Sequence, residues 1–507
     1  MQKETTNTTI AKNTIFLYIR MLLTMAIGLF TSRIVMQELG IENYGIYDLV
    51  GGIVIFFTFI NNSLLNGTQR FLSYELGKEE PNVTDVFSSC FRLHLTLSII
   101  FLIIAETAGI WFINTQLVIP TERLYAANWV YQFSIITCVI SIIRCPLNAA
   151  LISYERMGVF AYIGIIEALL KLAVAYMLFI SPIDKLITYA ILTFISMLIV
   201  LTINTVYTLK KLPEISFKKK TNKTLMKDVI NFSKWSIFGS LANVCKEQGL
   251  SIIVNIFYGV AGNAAVGVAN QVNSHISGFV NNFQVALNPQ LTKNEANNDR
   301  QRQYNLIYKS AKFSYFIMLF LAVPIVLNLD YLLYLWLGNY PPHTTSICLF
   351  IILGVLIETL SGPLWVSIFA TGNIKTYQLV ISSILLLNIP LAYIVGKMGL
   401  HPAYVFAARS AIFIFALIVR LVFLKKMINL KVTEFVKNVI IPITIVSIPL
   451  FAIIFAKYNF MPETTFLSFL IESFVVIIIE TVLIALLGLS KSERSFISRT
   501  ILKKFKR

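Results

Sequence analysis

The sequence predicts an all-α polytopic membrane protein of about 14 transmembrane helices, with two six-helix lobes in a pseudo-twofold arrangement and two appended helices. The membrane class follows from a mean hydropathy of +0.75 and a charged fraction of only 13% over 507 residues. A soluble chain of this length would carry about 25% charged residues. The two lobes follow from a similarity between the two halves of the chain.

Apolar stretches recur along the chain, each long enough to cross the hydrocarbon core of a bilayer, which takes about 20 helical residues. Proline and glycine residues separate them, as at Pro120, Pro213 and Pro289. The predicted spans are residues 13–37, 44–67, 86–113, 124–146, 158–180, 184–209, 230–258, 264–288, 307–329, 344–370, 376–397, 401–425, 434–456 and 464–488. An even number of spans places both termini on the same side of the membrane.

The distribution of Lys and Arg predicts on which side of the membrane the two termini lie. Of the 42 basic residues, thirty-one fall in one set of loops and ends, five in the opposite set and six within spans. Because cytoplasmic loops are enriched in Lys and Arg, the richer side is predicted to be cytoplasmic, with both termini, in a plasma (inner) membrane. The formal net charge of +17 therefore indicates topology and not nucleic-acid binding.

Landmarks of the first half return in the second half at a nearly constant offset. Asn61-Asn62 returns as Asn281-Asn282, and Pro146-Leu147 as Pro363-Leu364. Hydrophobic chains built from two repeats commonly bind a transported substrate at the repeat interface, which makes a transporter the first hypothesis. The predicted domains are an N-terminal lobe (1–209), a basic cytoplasmic linker (210–229), a C-terminal lobe (230–425) and the appended spans with a basic tail (426–507).

Amides and hydroxyls follow one face of the eighth predicted span when successive residues are spaced at 100°. They are Asn270, Asn273, Ser274, Ser277, Asn281, Gln284 and Asn288. The second span, its equivalent in the repeat, carries a similar stripe that includes Asn62 and Asn66. A single amide would be explained by hydrogen bonds between helices. Seven polar residues on one stripe, matched in the other half, favour a water-filled cavity, in which Asn62, Asn66, Asn270, Asn273, Asn281 and Gln284 are candidate substrate-binding residues.

Basic side chains predict that this cavity is cationic. Arg20, Lys234, Lys246 and Arg409 lie within predicted spans, and Arg70 follows the second span. A charged group at the bilayer centre costs about 2.5–3.5 kcal/mol on insertion scales, so it is retained mainly where it faces a cavity or a partner. Arg20 and Lys234 lie near the cytoplasmic end of their spans, so their charged ends could equally well extend to the membrane surface instead of facing a cavity. All five are candidates for binding an anionic substrate.

Carboxylates within the spans are fewer. Glu358 precedes a Gly-Pro pair that would weaken its helix, and it is a candidate for ion coupling, with a structural hydrogen bond as an equal alternative. Glu167 and Lys171 are four residues apart and are predicted to pair, and Lys246 could pair with Glu247. The histidine and cysteine spacings match no metal, nucleotide or catalytic motif. The sequence predicts no enzyme, metal or cofactor, and it leaves open a proton or sodium gradient as the energy source.

Three segments resemble a known family. They are residues 13–47, with Arg33 and the run Leu-Gly-Ile-Glu-Asn-Tyr-Gly-Ile-Tyr, residues 146–157, ending in Tyr-Glu-Arg-Met, and residues 363–375, containing Ala-Thr-Gly-Asn. They are similar to the polysaccharide transporter branch of the multidrug/oligosaccharidyl-lipid/polysaccharide (MOP) exporter superfamily, which includes the O-antigen flippases. The likeness covers the first twelve spans.

That resemblance implies a two-lobe transporter that works by alternating access. Its cargo would be an undecaprenyl-pyrophosphate-linked oligosaccharide, moved from the cytoplasmic to the outer leaflet for assembly of a surface polysaccharide such as O-antigen or capsule. The polar stripes would face sugar hydroxyls and the basic residues the pyrophosphate. The implied partners are this lipid-linked substrate, membrane lipid and a polysaccharide polymerase machinery, without nucleic acid.

Two other functions compete with a flippase. A multidrug exporter of the same superfamily that moves cations would need buried carboxylates in its first lobe. Spans 1 and 2 instead hold Arg20 and Arg33, with only Asp48 near one end, which favours an anionic cargo. A membrane enzyme such as a polysaccharide polymerase or ligase typically has a large outer loop, whereas the outer loops predicted here are short.

Overall fold

The computed structural model describes residues 13–28, 30–31, 34–35, 37–39, 43, 46–47, 58–115, 121–182, 184–218, 223–338, 340–460 and 465–495. All regular secondary structure in these residues is helical. Ten of the described helices are long and apolar enough to cross a membrane. These findings confirm an all-α, multi-pass membrane protein.

We number the helices in chain order. They are α1 (Asn13–Gly28), α2 (Thr58–Glu75), α3 (Val83–Thr115), α4 (Thr121–Ser153), α5 (Met157–Ile180), α6 (Lys185–Lys211), α7 (Lys223–Ala296), α8 (Arg300–Leu327), α9 (Leu329–Leu337), α10 (Thr344–Ala370), α11 (Lys375–Lys397), α12 (Ala403–Ile428), α13 (Val432–Asn459) and α14 (Phe466–Gly488). The ten membrane-length helices coincide with predicted spans 3–6 and 9–14, which are thereby confirmed. Parts of spans 1 and 2 lie outside the described residues, so the count of 14 stays a prediction.

Predicted spans 7 and 8 both lie in the 74 residues of α7. Helical geometry breaks inside it at Gly259, with φ 67° and ψ −166°. Glycine adopts this left-handed φ without the steric cost that a side chain would add, and the break falls at the gap predicted between the two spans. The gap predicted at Pro289 is wrong, because α7 continues through this proline to Ala296. Membrane helices tolerate proline where neighbouring groups satisfy the freed carbonyl.

One compact unit, unit 1, comprises Met1–Leu241, Val285–Asn298 and Gly372–Gln378. Its central helix is α4, which packs against α2, α3 and α6. The buried Tyr131 of α4 donates a hydrogen bond to the carbonyl of Ala105 at 2.8 Å, where α3 makes a π turn. The same carbonyl accepts from the backbone amide of Ile110 in the π turn, so Tyr131 adds a second bond that ties α4 to this turn of α3.

Unit 2 comprises Ala242–Gln284, Asp299–Thr371 and Leu379–Arg507. Within it α10 packs against α8 and α12, and the last two long helices, α13 and α14, pack against α8. The lobe and linker limits predicted from the sequence stay predictions. Because α13 and α14 both pack against α8, these two appended helices are attached to the rest of unit 2 mainly through α8.

A buried ion pair fixes the segment that follows α14 to α8. Lys312 Nζ lies 2.7 Å from a carboxylate oxygen of Glu493, and the two side chains are 6% and 7% exposed. Burial alone would raise the pKa of Glu493, but hydrogen bonds from Lys312 and Ser490, with the charge of Lys312, lower it. Because the folded-state pKa is depressed, the stability supplied by this pair is present above the ordinary carboxyl pKa and is lost as pH falls through the lowered value.

Replacing Lys312 with Met should destabilise unit 2 by about 3–5 kcal/mol, because it leaves the Glu493 carboxylate buried without its cation. The measurement is the Tm of the purified protein in detergent. Lys78→Met is the control, since Lys78 is 45% exposed in its pair with Glu75 and exposed pairs contribute about 0–1 kcal/mol. Equal Tm values for the two variants would contradict this account.

Candidate functional site

A cavity of about 510 Å³ lies in unit 1. Its lining comes from α1, α5 and α6, together with Thr31, Val35 and Tyr47. The polar and charged lining residues are Arg20, Thr24, Thr31, Glu167, Lys171 and Tyr189. We refer to this space as the unit 1 cavity.

One face of α5 forms a wall of the cavity. Gly164, Glu167, Ala168 and Lys171 line it, and their i, i+3, i+4, i+7 spacing places them on one side of the helix. Gly164 lacks a Cβ where one would lie only 2.8 Å from Arg20 Cδ. Glycine therefore allows the Arg20 side chain to cross the surface of α5, and its guanidinium lies 4.6 Å from the ring centre of Phe160.

Cations outnumber carboxylates at this wall. A Glu167 carboxylate oxygen lies 2.8 Å from Arg144, and the other lies 3.1 Å from Lys171. The second contact confirms the predicted Glu167–Lys171 pair. Arg20 and Lys171 line the cavity beside Glu167, so the lining has a surplus of one positive charge. Arg144 pairs with Glu167 from outside the lining. A surplus of this sign in a low-dielectric region lowers the energy of an anion that enters it.

The other walls are polar and aromatic. The Thr24 and Thr31 hydroxyls donate to carbonyls of their own helix, at 3.1 Å from Met21 O and 2.8 Å from Ile27 O. The rings of Tyr47 and Tyr189 meet edge to face with centres 4.7 Å apart. Hydroxyls retain acceptor capacity after donating one bond, so the walls can exchange hydrogen bonds with a polyhydroxylated or phosphorylated ligand.

Two other predicted cations of unit 1 lie outside the lining of this cavity. The guanidinium of Arg70 lies 4.7 Å from the ring centre of Phe71 and 5.4 Å from that of Phe232. Lys234 is exposed and lies 5.5 Å from the ring centre of Trp235. Both cations pack on aromatic faces, an arrangement in which the ring attracts the positive charge.

The two predicted cations of unit 2 share one carboxylate. Lys246 lies 3.0 Å from Glu247, which confirms the pairing suggested by the sequence, and Arg409 makes two hydrogen bonds to the same carboxylate at 2.9 and 3.1 Å. Both cations also lie over the ring of Phe413. Lys246 and Arg409 are buried, whereas the Glu247 side chain is 42% exposed. This cluster holds a net charge of +1 in unit 2.

The predicted amide stripe divides into two parts. Asn270 and Asn281 are exposed, while Asn273 is half-buried and accepts a hydrogen bond from Ser277 at 3.0 Å. Gln284 instead donates to Ser314 Oγ and to the carbonyl of Thr359, both at 3.0 Å. Gln284 thus links α7 to α8 and α10, which is the structural role that buried amides commonly have in bundles.

The remaining predicted residues are placed as follows. Asn66 is half-buried on α2, and the side chain of Asn62 lies outside the described residues. Glu358 is half-buried in α10, and its backbone carbonyl accepts from the amide of Ser361. The vestibule expected between the two lobes, and the binding role of every residue assigned to it, stay predictions.

Sequence reasoning did not include Glu167, Lys171 or Arg144 in the site. The i, i+3, i+4, i+7 spacing on α5 is a signal that could have identified the first two. Arg144 lies 23 positions before Glu167 on another helix, so its partnership depends on how α4 packs and not on any local pattern.

Several solved structures have a similar fold. A MOP superfamily transporter from Pyrococcus furiosus matches with a TM-score of 0.70 and 14% identity, covering 83% of this chain and 96% of that one. An outward-facing multidrug resistance MATE transporter of the superfamily, and a MATE transporter in complex with MaL6, each match with a TM-score of 0.71, the same identity and the same coverage. No family model and no curated protein sequence matches. The chain therefore shares the fold of these transporters.

The cationic lining can be tested without knowledge of the cargo. In a Cys245→Ser background, which removes an exposed native thiol, Thr24→Cys should react faster with an anionic than with a cationic methanethiosulfonate. Each rate is normalised to that of a small free thiol. An attraction of about 1 kcal/mol corresponds to a ratio of roughly five, and adding Arg20→Gln should reduce it. A normalised ratio of one, or a preference for the cation, would contradict a basic cavity.

Proposed function

We propose that this protein is a flippase that moves an undecaprenyl-pyrophosphate-linked oligosaccharide from the cytoplasmic to the outer leaflet, for assembly of a surface polysaccharide such as O-antigen or capsule. The observation that carries the proposal is the surplus of cations in the lining of the unit 1 cavity, where Arg20 and Lys171 lie beside the single carboxylate of Glu167. The MOP fold supports transport, and the charge of the lining supports an anionic cargo.

Arg20 is the residue best suited to the pyrophosphate. A guanidinium presents a planar set of donors that matches two phosphate oxygens at once. Its position across Gly164, against the ring of Phe160, restricts its conformations before any ligand arrives. Lys171 adds a second positive charge on the same wall, and the threonine and tyrosine hydroxyls supply acceptors and donors for sugar.

In the proposed cycle the headgroup enters this cavity from the cytoplasmic leaflet while the prenyl chain stays among lipid tails. A pyrophosphate cannot cross hydrocarbon unassisted, because an unpaired charge there is too costly. Cationic side chains replace the water that the phosphate loses. Alternating access then exposes the headgroup to the other side, where water competes for the phosphate and releases it.

The second candidate is a multidrug exporter of the same superfamily. It is favoured by the fold, which is shared with multidrug resistance MATE transporters. It is disfavoured by the lining, because a cationic drug would meet more positive than negative groups. The Pyrococcus furiosus transporter is described as having a binding pocket of reverse polarity that suggests a different function. This description supports pocket charge as the property that separates functions within the fold.

The function is tested by lipid transfer in proteoliposomes. Wild-type protein should move a fluorescent undecaprenyl-pyrophosphate-linked oligosaccharide between leaflets, measured as protection from an external glycosidase. Arg20→Gln should slow transfer at least tenfold, because hydrogen bonds to charged groups are worth about 1.5–3 kcal/mol. Lys210→Gln removes a positive charge from the exposed end of α6 and should leave the rate unchanged.

Two outcomes would refute the proposal. One is transfer by Arg20→Gln at the wild-type rate. The other is no transfer of the lipid-linked oligosaccharide by wild-type protein that does move a cationic dye, which would establish the multidrug exporter instead.

A further inference from the structure

The last long helix places a carboxyl group in the interior of unit 2. Of the residues in Phe466–Leu483, only Val476 and Glu480 are buried. Large apolar side chains such as Ile471, Phe474 and Ile478 are exposed and suit lipid contact. The Glu480 side chain is 0% exposed, so it is one of only two buried side chains in this stretch, and the only ionisable one.

Glu480 has no hydrogen-bond partner among the described residues. Both of its carboxyl oxygens are buried and unsatisfied. The other carboxyl groups of this region have cations beside them, as Glu472 has Lys457 and Glu493 has Lys312. Glu480 therefore differs from Glu472 and Glu493 because it is a buried carboxyl group without a neighbouring cation.

Several titratable groups of α8 and α13, the two helices that pack against α14, already have partners. They are Lys312 with Glu493, Tyr315 with Ser447, Lys457 with Glu472 and Asn328, and Tyr458 with the carbonyl of Val326. None of these contacts reaches Glu480. No cation among the described residues is thus positioned to stabilise an ionised Glu480 in this conformation.

The backbone departs from α-helical geometry one turn after Glu480. The carbonyl of Glu480 accepts from the amide of Ile484, where the π turn Ile484–Gly488 begins. Gly488 closes this turn against Phe316, whose ring would lie 2.6 Å from an added Cβ. Single π turns are frequent at functional sites in helices. Glu480 precedes the end of α14 by eight residues, about 12 Å along the axis.

A carboxylate without partner or water is strongly disfavoured in an apolar interior, whereas the protonated acid is neutral. We propose that Glu480 is a proton-binding site, occupied in this conformation, and that its proton exchanges with water when the contacts between α14 and α8 open. The accessory helices then supply the ion coupling of the transporter. The coupling role rests on the proposed transport function, whereas the protonation of Glu480 does not.

Infrared difference spectroscopy of the purified protein in lipid tests the protonation. Wild-type protein at neutral pH should show the C=O stretch of a protonated carboxylic acid that disappears at alkaline pH. The band should be absent in Glu480→Gln, shifted in Glu480→Asp and retained in Glu472→Gln, whose carboxylate is paired with Lys457. An identical band in wild type and Glu480→Gln, or no such band in wild type, would overturn the proton-binding site.

Lipid transfer under a pH gradient tests the coupling. The ratio of transfer rates with and without the gradient should be several-fold for wild type and Glu472→Gln, and about one for Glu480→Gln. A ratio in Glu480→Gln equal to that of wild type, or a wild-type ratio of one, would overturn the coupling role. If wild type transfers no lipid-linked oligosaccharide, the proposed function fails, and the infrared result still decides whether Glu480 binds a proton.

Discussion

A charge placed among apolar helices needs a partner or a water-filled space, and this constraint explains where the protein keeps its ionisable groups. Glu167 has Arg144 and Lys171, Glu247 has Lys246 and Arg409, and Glu493 has Lys312. Each cluster joins different helices of one unit, so the same contacts that neutralise charge also fix helix packing. The positions at which charges do not balance are therefore the informative ones.

Besides the cluster at Glu247, which has a net charge of +1, two imbalances of opposite sign bear on what the protein binds. The unit 1 cavity holds more cations than carboxylates, which favours an anion as ligand. Glu480 is an acid without a cation among the described residues, which favours a proton as ligand. A fold can host many functions, and function follows from the chemistry of the site. Among proteins that share one fold, the lining of the cavity and the acids of the last two helices are where a change of cargo or of coupling would be encoded.

Much of the fold could be predicted from the sequence, because hydropathy is a local property. Ten spans, the break at Gly259 and the Glu167–Lys171 pair all follow from patterns within about 30 residues. The proline rule failed at Pro289, through which α7 continues to Ala296. The even spacing of polar residues on α7 could not show that Gln284 links helices while Asn281 is exposed.

The site was predicted less well, because its residues come together only through packing. Arg20 was expected to face a cavity, and it lines one, but its neighbours Glu167 and Lys171 were assigned only to each other. Glu480 gave no local signal, since it is a single acid in an apolar helix, and only the contact of α14 with α8 shows that it points inward. A lone acid in a predicted span therefore needs the tertiary structure before its role can be judged.

The most direct measurement is a cryo-electron microscopy structure of the protein with purified undecaprenyl-pyrophosphate-linked oligosaccharide in lipid nanodiscs. The account predicts density for the two phosphates inside the unit 1 cavity, within hydrogen-bond distance of the Arg20 guanidinium and close to Lys171. Density for the pyrophosphate elsewhere, with the cavity filled by lipid tails or left without cargo, would contradict the claim that surplus positive charge in unit 1 selects the substrate.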